Sequence, residues 1–166
     1  IYARLKSGLS IGNYSGDITA SSTNATSQTI ALSGSVPTPT ISVGSAITSL
    51  DYNLYSQGGP STSQSTTVSG ANLVDNITLT APTNFVISTD NSTFSASLTL
   101  NQSSNSVSST TIHVRLKDGL AVNSYSGNIT CSSTSASNST ISVSGAVTNA
   151  GASTETSLYT ADMSGS

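Results

Sequence analysis

Residues 112–147 read IHVRLKDGLAVNSYSGNITCSSTSASNSTISVSGAV, and residues 1–36 read IYARLKSGLSIGNYSGDITASSTNATSQTIALSGSV. The two stretches align without a gap at an offset of 111 residues, and 20 of the 36 positions are identical. Self-similarity at a fixed distance marks a repeated structural unit. An offset of this size matches an antiparallel sandwich of about 100 residues. The chain then divides into residues 1–36, the closing strands of one unit; residues 37–148, a complete unit; and residues 149–166, a linker or the start of a following domain.

Inside the motif the apolar residues alternate. Ile112, Val114 and Leu116 fall on one face and His113, Arg115 and Lys117 on the other, as a half-buried strand requires. The first copy repeats the rule, which predicts Ile1, Ala3 and Leu5 inward and Tyr2, Arg4 and Lys6 outward. Short alternating segments bounded by Gly, Pro, Asn, Asp and Ser predict further strands near Thr40–Val43, Ile47–Leu54, Ser65–Val68, Asn76–Thr80, Phe85–Thr89, Ala96–Leu100, Thr111–Leu116, Ser126–Cys131 and Thr140–Val147. None reads as a helix. The fold class is all-β, an antiparallel β-sandwich in tandem repeat.

Composition points the same way. Ser and Thr supply 63 of 166 residues, and side chains of this kind favour turns, caps and strands over helix interiors. Leu, Ile, Val and Phe total 35, enough for a lean core, and a net charge of −3 is too small to expand the chain. Four basic residues cannot neutralise a phosphate backbone, so nucleic acid is excluded as a partner. No run of about 18 apolar residues spans a membrane, and any export signal would lie outside this segment. One cysteine, Cys131, cannot form an internal disulfide, which leaves packing and strand pairing to stabilise the fold. Low Lys and Glu with high Ser, Thr, Asn and Gly resembles the composition of secreted bacterial surface proteins more than that of cytosolic enzymes.

The segment KDGLAVNSYSGNIT, matched by KSGLSIGNYSGDIT, carries a Leu five residues before a Tyr. That spacing predicts a corner in which the phenol packs inward and its hydroxyl bonds backbone. The corner residues are Leu9, Tyr14 and Gly16 in one copy and Leu120, Tyr125 and Gly127 in the other. Gly8 and Gly119 suit a positive φ at the turn, and Gly16 and Gly127 are expected to relieve crowding beside the ring. These are stability residues. The pattern RLKxGLxxxxYSGxIT, followed by a Ser/Thr-rich turn and a strand ending SGxV, resembles the immunoglobulin-like repeats of large secreted and surface-attached proteins of Bacteroidetes, particularly flavobacteria; FVISTDNSTFSASLTL at residues 85–100 is similar to that family's middle strands. The resemblance covers residues 1–148. It implies an extracellular spacer or adhesive stalk, often on type IX secretion substrates, and no shared catalytic residues.

No constellation of residues suggests catalysis. His113 is the only histidine and sits on an outer face, where a metal site or a Ser-His-Asp relay would need several converging groups. Cys131 replaces Ala20 of the other copy and reads as a small core residue, not a nucleophile. The acids Asp17, Asp51, Asp75, Asp90, Asp118, Glu155 and Asp162 show neither a facing pair nor a DxDxDG calcium loop, and Asp75, Asp90 and Asp118 sit in turn contexts. Seven Asn-x-Ser/Thr triplets occur where composition alone predicts about five, so they mark nothing. No cofactor is implied. The alternative to a structural repeat is an accessory carbohydrate-binding module of a secreted enzyme. Without Trp, a stacking platform would depend on Tyr2, Tyr52, Tyr55 or Tyr159, with Tyr52 and Tyr55 the candidate glycan contacts. Three strands from residues 1–36 would leave apolar faces and a sheet edge uncovered. The sequence therefore calls for neighbouring repeats of the same protein, or another copy supplying the complement by strand addition or domain exchange.

Overall fold

The computed structural model describes residues 1–151. Of the predicted tail at 149–166, all but the first three residues lie outside that range. Eleven strands follow one another: β1 Gly12–Ala20, β2 Gln28–Val36, β3 Thr40–Val43, β4 Tyr52–Asn53, β5 Gln64–Ala71, β6 Ile77–Thr80, β7 Phe85–Ser88, β8 Ser97–Leu100, β9 Val107–Leu116, β10 Asn123–Ser132 and β11 Ser139–Thr148. No helix occurs among the described residues, and none therefore is long and apolar enough to cross a membrane. From β3 onward the strands form two sheets, β4-β11-β10-β6-β8 and β3-β5-β9-β7, antiparallel except where β4 meets β11. Their inner faces enclose one apolar core, an arrangement consistent with a β-sandwich.

Alternation places that core. In β9 Ile112, Val114 and Leu116 are buried; in β10, Ile129 and Cys131; in β11, Ile141, Val143 and Val147. Phe85 and Ile87 of β7, Ile77 and Leu79 of β6, Val68 of β5 and Leu100 of β8 complete it, with Leu50 and Leu73 from the connections. Arg115, on the opposite side of β9, lays its guanidinium over the Phe94 ring at 3.8 Å. The buried hydroxyls are paired: Ser61 Oγ accepts the Leu116 N–H at 3.0 Å, and Thr66 Oγ1 donates to the Ser45 carbonyl at 3.0 Å; Gln102 Oε1 and Arg115 Nε are buried without a hydrogen-bond partner among the described residues.

Two expectations change. Ile47–Leu54 is not one continuous strand: Ile47 bridges Val143, Ser49 turns the backbone to φ 60°, the Leu50 N–H bonds Ser144, and regular ladder pairing resumes at Tyr52. Residues 1–6 form no strand, and Ile1, Ala3 and Leu5 do not point into a core; all six are exposed. The equivalent residues 112–117 are held between β5 and β7, and the 1–36 segment has no such neighbours, because among the described residues β1 and β2 pair only with each other. The first copy thus contributes two strands to a lone hairpin.

Candidate functional site

The two hairpins are built alike. All nine residue pairs of β1–β2, from Gly12↔Val36 to Ala20↔Gln28, recur at the 111-residue offset in β10–β11, from Asn123↔Val147 to Cys131↔Ser139. Each turn has one residue at φ 63°, Asn24 or Ser135, and one backbone bond, Ala25 N–H to Ser22 or Ala136 N–H to Ser133. Ahead of each hairpin a glycine has positive φ, 76° at Gly8 and 72° at Gly119. The phenol of Tyr14 donates to the Ser10 carbonyl at 2.7 Å and that of Tyr125 to the Ala121 carbonyl at 2.8 Å. Leu120 and Tyr125 pack against the core, whereas Leu9 and Tyr14 are only half-buried. A methyl group on Gly127 would meet Pro82 at 2.7 Å and not the tyrosine ring, and at Gly16 it would meet nothing.

β3, the first strand of the 37–148 region, pairs with β5 in one sheet, and the segment that follows it reaches the last strand, β11, in the other. Here the Ile47–Leu54 segment runs parallel to the last strand and is bonded to it along its length. Ile47 N–H donates to Ser142 (2.9 Å), Ser144 N–H to Ile47 (3.0 Å), Leu50 N–H to Ser144 (3.1 Å) and Leu54 N–H to Thr148 (2.9 Å). Asp51 adds a side-chain rung, its Oδ1 accepting the Ala146 N–H at 2.7 Å. Gly145 makes this approach feasible, because a Cβ there would lie 2.2 Å from the Leu50 carbonyl oxygen. Parallel pairing of segments so far apart leaves no trace in alternation, so the sequence reading missed it.

The other polar candidates serve the backbone. Asp90 Oδ1 accepts the Ser88 hydroxyl at 2.7 Å and the Ser92 and Thr93 N–H groups at 2.8 Å each. Those bonds, the Ser88 hydroxyl foremost, hold its carboxyl at about 2, below the usual carboxylate range. Asp75 caps the Asn76 N–H and accepts from Thr134, and Asp118 caps Gly119. Cys131 is fully buried, and desolvation pushes its thiol up to about 11. His113 lies between Ser65 and Ser88 on neighbouring strands. Among the described residues no three His, Cys, Asp or Glu side chains converge. Glu155 and Asp162 lie outside the described residues.

The tyrosine platform does not assemble as expected. Tyr52 is not a surface contact: its ring is in the core and its hydroxyl accepts the Leu120 N–H at 3.2 Å. The parallel pairing with β11 turns it inward. Tyr55 is exposed, as is Tyr2, and Tyr159 lies outside the described residues. Strand register instead aligns hydroxyls across the outer face of one sheet, in the row Ser97, Thr80, Thr130, Thr140 and the row Thr99, Thr78, Ser132. No protein-family model matches the chain, and no curated protein matches it.

Proposed function

We propose that this chain is a non-catalytic structural or adhesive module of a secreted or cell-surface protein, built of immunoglobulin-like sandwich units in tandem, a stalk, spacer or filament element of the kind its resemblance to Bacteroidetes surface repeats implies. The observation that supports this reading best is the parallel contact between Ile47–Leu54 and β11. Tension on the ends of the 37–148 region reaches Ile47–Leu54 from its N-terminal side, through β3, and β11 from its C-terminal side. Because the two run parallel, the load is directed along the strands and strains all the rungs together. A hydroxyl-rich surface with 11 charged residues in 166 keeps such a module in solution without long-range fields that would attract charged ligands. Pulling the chain by its ends in a single-molecule instrument tests the reading. The 37–148 region is expected to rupture in one step and release about 370–400 Å of contour; gradual extension without a rupture event would overturn it.

The second reading, an accessory carbohydrate-binding module, now draws on Tyr55 and the hydroxyl rows, since Tyr52 is internal. Twist of roughly 20–25° between neighbouring strands turns successive rows away from any flat ligand. Glycan-array binding lost on Tyr55→Ala, with folding intact, would favour this reading over the first.

A further inference from the structure

The same sequence occurs here in two environments. In the second copy Ile112, Leu116, Ile141 and Val143 are at most 2% exposed; their counterparts Ile1, Leu5, Ile30 and Leu32 are 95, 38, 52 and 37% exposed. No residue of 1–36 is buried, although nearly every core-facing position has kept an apolar side chain. A groove of about 290 Å³ opens on this face, lined by Leu5, Tyr14 and Leu32 among others. Both hairpin edges are unpaired as well among the described residues. At the equivalent edges of the second copy, β6 joins β10 through Thr80↔Thr130 and Leu79↔Cys131, and the Ile47–Asn53 segment joins β11.

The covered copy identifies what fits the uncovered one. We propose that the apolar face and two free edges of the β1–β2 hairpin are an acceptor for a polypeptide segment with the strand pattern of residues 37–111, placed directly ahead of Ile1 in the same polypeptide. Its β6-like strand adds to the edge of β1 at Thr19 and Ala20, and its counterpart of Ile47–Leu54 runs parallel to β2 at Leu32–Val36. Among the described residues there are two closing hairpins and one 37–111 segment, so exchange of that segment between 166-residue chains covers one hairpin in each and leaves the other open. In the covered copy the covering segment runs into its hairpin through the unbroken strand β9, which sets the order of the two in the chain. This rests on reading residues 1–36 as the end of a unit like 37–148. The pulling experiment addresses the 37–148 region, so the two ideas can fail separately.

The test joins a second copy of residues 37–111 to Ile1 of the full chain, as Thr111 joins Ile112, and follows amide exchange by NMR. The informative groups are the N–H of Ser33 and Ser35, whose counterparts Ser144 and Ala146 donate to Ile47 and Asp51. In the 166-residue chain at low concentration Ser33 and Ser35 should exchange near the unprotected rate while Ser144 and Ala146 exchange slowly. In the extended chain Ser33 and Ser35 should slow by on the order of 100-fold or more, and Leu32→Asp should abolish the gain. A second extended chain carrying Ala3→Val, Ala20→Cys and Leu32→Val restores the core residues of the covered copy and guards against simple misfit. The proposal is overturned if neither extended chain protects Ser33 and Ser35, if they are already protected in the dilute 166-residue chain, or if protection appears only as that chain is concentrated, which would mean hairpins pairing with each other.

Discussion

Asn24 and Ser135 occupy the same turn position with the same φ of 63°, a conformation Asn tolerates and Ser adopts at some cost. Ser135→Asn should therefore stabilise the 37–148 region by about 0.5 kcal/mol in chemical denaturation. Tyr125 and Tyr14 make the same hydrogen bond in different company. Tyr125→Phe should cost about 1 kcal/mol, whereas Tyr14→Phe should leave the main unfolding transition unmoved, because the ring of Tyr14 does not pack against the core. The corner was legible in the sequence because it depends on a Leu-to-Tyr spacing and a glycine turn, both local. The burial of Tyr52 was not, because it follows from a contact with Leu120, 68 positions away. Asp90 ionises at about 2, below its ordinary value near 3.9, so its contribution is fully present above about pH 4 and fades as pH falls toward 2. In Asp90→Asn the fall in stability between pH 4 and 2 should be shallower than in the parent, as read by denaturant midpoints across that window.

At the scale of elements, the hairpin was the most legible part. Its turn, alternation and nine-pair register form both with a covering sheet and without one, so those features are encoded within about 25 residues. The strand IYARL is the opposite case. IHVRL is a strand because β5 and β7 flank it, and IYARL lacks both flanking strands and stays irregular despite the same alternation. Alternation signals the capacity to pair, and the partner realises it. The glycines at the two equivalent positions expose the same dependence. Gly145→Ala sets a methyl against the Leu50 carbonyl at 2.2 Å and should cost about 3 kcal/mol by displacing the Ile47–Leu54 segment. Gly34→Ala would meet only the flexible Leu5 side chain, at 3.0 Å, and should change stability by less than about 0.5 kcal/mol. Thermal melts of the two variants side by side check the contrast.

For the molecule as a whole, a core drawn from residues 37–148 is held by strand pairing and paired buried hydroxyls, with no disulfide available and few charges. Its defining feature is that Ile47–Leu54, the segment after its first strand, lies parallel and bonded to its last strand, so its resistance to tension should depend on the direction of pull. Attaching handles near Pro37 and Thr148 loads the Ile47–Leu54 and β11 rungs together; attaching them at Leu54 and Thr148, adjacent at one end of the same pair, opens those rungs one after another. The proposed structural role requires a rupture force several-fold higher in the first geometry than in the second. Equal forces in the two geometries, or a first-geometry force unchanged by Gly145→Ala, would contradict it.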